Sequence, residues 1–112
     1  MQVSSVVDES ASVVSLSGAL NFSTRKSLRA KIDDGIARGC RDFILDLQNV
    51  SFIDSSGLGT LVACFSIVRK QGGSMKLVRV PTIVYELMEM TKLTQFFDIC
   101  DTPQPDPLQE GA

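Results

Sequence analysis

Residues 51–59 read "SFIDSSGLG", Ser51 to Gly59: an apolar, strand-like stretch that runs into an acid, two adjacent hydroxyls and two glycines. Downstream of it, Leu58, Leu61, Val62, Phe65 and Val68 mark one helical stripe that ends at the pair Gly72-Gly73. The stretch is therefore a strand-to-helix junction, and the rest of the chain can be read outward from it. Upstream, "DFILDL" (Asp42 to Leu47) is a nearly continuous apolar run, as expected of a central strand covered on both faces. Before that, Leu28, Ile32 and Ile36 repeat every four residues between Phe22 and Arg38, with Gly39 at the expected C-terminal cap. Val3, Val6 and Val7 predict a first strand, and "SVVSLSG" (Ser12 to Gly18) a second, joined to it through a turn at Asp8 to Ser10.

On the other side of the junction, "SMKLVRV" (Ser74 to Val80) predicts a strand. Pro81 then suits the first turn of a helix whose apolar face holds Ile83, Val84, Leu87 and Met88, and "FFDIC" (Phe96 to Cys100) predicts a last short strand. After the opening hairpin, strands and helices alternate, which predicts an α/β fold with right-handed crossovers onto a mostly parallel sheet. Residues 102–112, "TPQPDPLQEGA", carry three prolines and little to bury, and read as a loose tail.

Composition excludes several functions. At 112 residues, with 44% hydrophobic and 21% charged, the chain fits one globular domain. A formal charge of −2 with interspersed signs gives no basic stripe for nucleic acid. No run approaches the roughly 18 apolar residues of a membrane span, and the N-terminus lacks the pattern of a secretory signal, so a cytoplasmic location is expected. Cys40, Cys64 and Cys100 are odd in number and far apart, suggest neither a disulfide framework nor a metal site, and read as buried thiols. There is no histidine, so Ser-His-Asp and Cys-His nucleophile systems have no base.

The chemistry of the junction then narrows. Asp54, Ser55 and Ser56 are all good N-cap residues, but one cap needs only one of them. Gly57 and Gly59 each cost up to about 1 kcal/mol relative to alanine in a helix, which implies a close approach by a phosphate or by a partner's surface. A P-loop would need a lysine that "DSSGLGT" lacks, Gly-x-Gly alone is a weak dinucleotide signal, and the Gly-x-Ser-x-Gly of a hydrolase elbow is missing. Another use open to a serine at this position is to receive a phosphate. A phosphoserine at a helix N-terminus adds about −1.5 to −2 charges where free amides accept them, so its effect would fall on a partner docked over the loop.

"NVSFIDSSGLGTLV" (Asn49 to Val62), "RKQGGSMKLVRV" (Arg69 to Val80) and "VYELMEMTKLTQFFDI" (Val84 to Ile99) resemble the STAS domain, and within it the bacterial anti-sigma factor antagonists. The likeness runs from "SLSGALNFSTRKSL" (Ser15 to Leu28) to "FFDIC", and places a STAS domain over residues 1–101. It implies a mixed, mostly parallel β-sheet of about five strands, with helices packed mainly on one side. It also implies no catalytic activity, cofactor or metal of the chain's own. By the same resemblance, the partner is an anti-sigma factor with serine kinase activity, which phosphorylates Ser55 and brings its own ATP and magnesium. The unphosphorylated chain binds that kinase and frees its sigma factor, and a metal-dependent PP2C-type phosphatase removes the phosphate. Asp54 then stands beside the acceptor, Ser56 helps to cap the helix, and Gly57, Leu58 and Gly59 belong to the partner-binding helix start, with both glycines letting the partner approach. Relatives often carry Gly-Glu-Leu-Asp where this chain has Gly18-Ala19-Leu20-Asn21. Asn21 replaces an acid that would contact the kinase, and still caps the first helix. Many relatives end in a further amphipathic helix; the tail found here instead leaves apolar surface for a homodimer or another partner. Two alternatives are a STAS module of a stress-signalling scaffold or transporter, and a weak nucleotide-binding regulator.

Overall fold

The computed structural model describes residues 2–8 and 11–100, with side chains from Ser12 onward. The elements follow in the order β1 (Gln2–Asp8), β2 (Ala11–Leu20), α1 (Arg25–Ala37), β3 (Asp42–Ile53), α2 (Ser55–Lys70), β4 (Ser74–Val78), α3 (Thr82–Met90), a 3-10 turn (Leu93–Gln95) and β5 (Asp98–Ile99). The sheet order is β1-β2-β3-β4-β5. β1 pairs antiparallel with β2, whereas β2, β3, β4 and β5 are mutually parallel. Each crossover moves one strand in the same direction, so a shared handedness lays every helix on one face. The expected mixed sheet with helices on one side is therefore present. Two expectations, the turn around residues 9–10 and the tail at 102–112, lie outside the described residues.

The core is the layer between sheet and helices. Val14, Leu16 and Leu20 of β2, Phe43, Leu45 and Leu47 of β3, and Met75 and Leu77 of β4 face Leu28 and Ile32 of α1, Leu61, Cys64 and Val68 of α2, and Val84 and Met88 of α3 in one cluster. Phe65, Phe96 and Phe97 close one end, with ring centroids 4.9 to 5.7 Å apart. Burial of these side chains is the main stabilising term, since each contributes about 1.5–3 kcal/mol relative to exposure. Both long helices end in the same motif. Gly39 and Gly72 take positive φ of 94° and 85°. The next amides, Cys40 and Gly73, reach back to the carbonyls of Gly35 and Val68 at 2.9 and 3.0 Å.

Several expectations need correction. β3 is central but not covered on both faces: Ile44 is half-buried, and on the neighbouring strands Val13 and Lys76 are exposed. Asp46 is 8% exposed on that open face because Arg79 pairs with it and the Gln48 amide donates to it at 3.0 Å. β4 stops at Val78, since Arg79 turns the chain at a φ of 51°. α1 starts at Arg25 rather than Phe22, Pro81 occupies the cap position before α3, and Ile83 is 61% exposed rather than in the core. Phe96 and Phe97 belong to the turn before β5, which spans only Asp98–Ile99. Cys40 and Cys64 are buried as expected, but Cys100 is exposed.

Burial pushes the Cys64 thiol up to about 11, with Arg29 opposing and Asp33 adding to the shift. Because the thiolate is the nucleophile, iodoacetamide at mildly alkaline pH should label Cys100 first and leave Cys40 and Cys64 unmodified until the fold opens. Mass mapping before and after adding denaturant checks this order.

Candidate functional site

Two helix starts meet at one end of the sheet. Leu20 and Ile53 are register partners at the ends of β2 and β3, so the turns that follow them stand side by side. In the first turn, Asn21 and Thr24 form a reciprocal pair: Asn21 Oδ1 accepts from the Thr24 amide at 3.1 Å, and Thr24 Oγ1 accepts from the Asn21 amide at 3.0 Å. Asn21 Oδ1 also accepts from the Ser23 amide at 3.0 Å. Asn21 was expected to cap α1; Thr24 holds the cap position, and the Asn21 carboxamide oxygen instead closes the turn that leads into the helix.

In the second turn, Asp54 is the N-cap, in extended backbone, and its Oδ1 accepts from the Gly57 amide at 2.9 Å. The Asp54 amide in turn donates to the Leu20 carbonyl at 3.3 Å, which ties the start of α2 to the end of β2. Ser56 does not cap: its carbonyl accepts from Thr60 Oγ1 at 3.0 Å, and its side chain is half-buried. The role expected of Ser56 therefore falls to Asp54. Ser55 is exposed in the first helical turn, and among the described residues its hydroxyl makes no hydrogen bond. The backbone amides of Ser55 and Ser56 likewise meet no protein acceptor among the described residues: the Asp54 side chain satisfies only the Gly57 amide of the first turn.

The two glycines do different jobs. A Cβ at Gly57 would collide with the Leu20 carbonyl oxygen and lie 2.9 Å from both Ile53 Cγ1 and Leu20 Cγ, so Gly57 lets α2 approach its own sheet and is not open to a partner. Leu58 is 5% exposed and also points into the core. Gly59 is exposed with nothing within 4 Å of a Cβ position, and leaves the surface beside Ser55 low.

Two grooves reach this junction. One, of about 380 Å³, runs between α1 and α2 and includes Phe22, Arg25, Ser56 and Gly59. The other, of about 300 Å³, is apolar and lies between the end of β3 and α3, lined by Phe52, Ile83, Leu87 and Met90. Phe22, Phe52, Ile83 and Met90 are 66%, 51%, 61% and 79% exposed, so the two grooves present large apolar side chains to solvent. Phe22 and Phe52 carried no signal in the sequence, because Phe22 lies in the turn before α1 and Phe52 in the part of β3 where alternation is interrupted.

The glycine pair gives opposite expectations. Gly57→Ala should destabilise the fold by about 1–3 kcal/mol through overpacking against Leu20. Gly59→Ala should be neutral or stabilising by up to about 1 kcal/mol, since alanine is the better helix former. Asp54→Ala should cost about 1 kcal/mol through loss of the cap. Urea unfolding of the three variants checks the ranking.

Comparison with known proteins agrees with this fold. A model of the STAS domain matches residues 2–104. The anti-sigma F factor antagonist of Paenibacillus polymyxa is 34% identical over 90 residues, which is 80% of this chain and 77% of that one. The anti-sigma-B factor antagonist of Bacillus subtilis is 35% identical over 86 residues, covering 77% of this chain and 78% of that one. Among solved structures, the anti-sigma factor antagonist SpoIIAA in its unphosphorylated form superposes with a TM-score of 0.76 at 20% identity, over 98% of this chain and 96% of that chain. SpoIIAA in its phosphorylated form superposes with a TM-score of 0.69 at 21% identity, over 99% of this chain and 98% of that chain. The structural likeness carries the fold; with the family match over nearly all of the sequence, the chain belongs to the STAS domain family.

Proposed function

We propose that this chain is an anti-sigma factor antagonist, a binding protein rather than an enzyme, whose docking surface is centred on Ser55. In its unphosphorylated form it binds an anti-sigma factor with serine kinase activity and so releases the sigma factor held there. Phosphorylation of Ser55 by that kinase ends the binding, and a PP2C-type phosphatase restores it. The observation that carries this reading is the division of labour in the first turn of α2. Asp54 does the capping, which leaves the Ser55 hydroxyl exposed and unbonded beside two free amides.

The physical logic is that of an interface charge. A phosphate on Ser55 would be well tolerated by its own helix, because the amide donors and the positive end of the helix dipole favour an anion. The same group, strongly hydrated and carrying up to two charges next to Asp54, would have to be desolvated by any partner lying over it. Moving a complex from 99:1 bound to 1:99 requires about 5.5 kcal/mol, a coupling available only if the phosphate sits inside the contact. The exposed rings of Phe22 and Phe52 flank that position and would supply apolar contact area around it. Asn21, at the rim, keeps its amide nitrogen for the partner while its oxygen holds the turn.

Among the described residues, no helix is long and apolar enough to cross a membrane. We place the binding event in the cytoplasm, where a sigma factor works.

Affinity capture from the native host with wild type, Ser55→Ala and Ser55→Asp tests the model, with mass spectrometry of the partners and of Ser55 itself. Ser55→Ala should retain a kinase-type anti-sigma factor, Ser55→Asp should lose at least about tenfold of it, and wild type should carry phosphate on Ser55. Equal capture by both variants would sink the proposal. Copurification of scaffold or transporter subunits with an unmodified Ser55 would replace it by a docking role in another assembly.

A further inference from the structure

We propose that the groove between α1 and α2 is a slot for an acidic segment of the partner protein, in which Arg25 and Lys26 take its carboxylates. This inference rests on the docking role of the Ser55 surface and names the chemistry of what docks there.

The groove is electropositive although the chain as a whole carries a net charge of −2. On the α1 side it is lined by Phe22, Arg25, Lys26 and Arg29; on the α2 side by Ser56 and Gly59. The α2 wall contributes no opposing charge, since Ser55–Lys70 contains no acidic residue. On α1, Asp33 is already engaged by Arg29 at 3.2 Å, one turn further on, and Asp34 by Arg38 at 3.1 Å. Among the described residues, neither Arg25 nor Lys26 has a carboxylate within salt-bridge distance.

Arg25 is moreover held in a costly arrangement. Its guanidinium carbon lies 4.5 Å from the centre of the Phe22 ring, which orients the planar fork. Its Nε is enclosed and has no hydrogen-bond partner among the described residues. The terminal Nη nitrogens, which are not enclosed in this way, are the edge that a carboxylate can meet in two parallel hydrogen bonds. Lys26, exposed one residue on, suits a second acid as a point charge. The slot is about 380 Å³ and open to solvent, room for side chains of a peptide rather than for an enclosed ligand. Gly59, with no side chain, keeps its floor low next to Ser55.

The test uses the full chain carrying Ser55→Ala, labelled with 15N and titrated at low salt with a hexaglutamate peptide, with inorganic phosphate in a parallel titration. The proposal expects saturable shifts at the amides of Phe22, Ser56, Gly59 and Ala63 and at the Arg25 Nε–H. It also expects at least about a tenfold loss of affinity in the double variant Arg25→Gln/Lys26→Gln and a smaller loss in Arg25→Lys, which keeps the charge but not the fork. Circular dichroism of both variants confirms that they fold; these helix-surface changes leave the core untouched. Shifts that are absent, centred elsewhere or unchanged in the double variant overturn the proposal. So does inorganic phosphate reproducing them at equal concentration, which would make the groove a simple anion site. Because the peptide replaces the native partner, the slot can hold while the Ser55 switch fails, and the switch can hold while the slot fails.

Discussion

The first turn of α2 lies against the last residue of β2, and this contact fixes most of what stands above the sheet. It requires position 57 to have no side chain, because the Leu20 carbonyl occupies the place of a Cβ. It is closed by the Asp54 amide donating to that same carbonyl. Leu20 and Ile53 are thereby level, and the helices that follow them, α1 from Arg25 and α2 from Ser55, begin five and two residues later in neighbouring turns. Two helix N-termini consequently open on one patch of solvent. Their partial positive charges repel each other weakly, and an anion placed there is favoured twice.

The sheet prepares this contact through irregularities in β3. Between Ser15 and Ser17, and again between Gly18 and Ala19, β3 spends one residue more than β2 does. Each insertion flips the side-chain parity, so the buried positions run Phe43, Leu45, Leu47 and then Val50 and Ile53. Without the two bulges Val50 would face the open side and Phe52 would follow it. This is why "DFILDL" and the stretch before Asp54 each read as strand-like while their continuity as one strand to Ile53 did not: alternation breaks down where the register shifts. The open face misled for a related reason. Asp46 and Ile44 look like interior residues in sequence, yet an ion pair from Arg79, thirty-three positions away, shields one and no helix covers the other.

Helices were easier to read than strand ends because a four-residue apolar repeat survives local error. Leu28 and Ile32, and Leu61, Phe65 and Val68, are buried as their spacing predicts, and Gly39 and Gly72 terminate their helices where a left-handed residue is needed. α3 was read with too wide an apolar face, since Ile83 lines a groove rather than the core. In the site itself, three potential caps stood in a row and sequence could not choose among them; the choice depends on backbone angles, and Asp54 has the extended ones. The groove between α1 and α2 had no sequence signal at all, because its walls come from helices separated in the chain by β3 and only the Leu20–Ile53 pairing brings them together.

The two proposals for this surface are coupled by one electrostatic argument. An acidic segment is drawn to the groove by Arg25, by Lys26 and by the uncovered start of α2, and Ser56, next to Ser55 in the chain, lines that groove. A phosphate on Ser55 would bring up to two negative charges to the positive end that the segment needs. It would not break the helix, since Asp54 already satisfies Gly57 and the Ser55 and Ser56 amides have no competing acceptor among the described residues. Nor would it strain the core, because Ser55 is exposed. The free energy of the added charge has little to act on inside this chain, and falls almost entirely on the partner's carboxylates and on the water that both anions must lose. A modification that is nearly silent for folding and costly for docking is what a reversible switch requires.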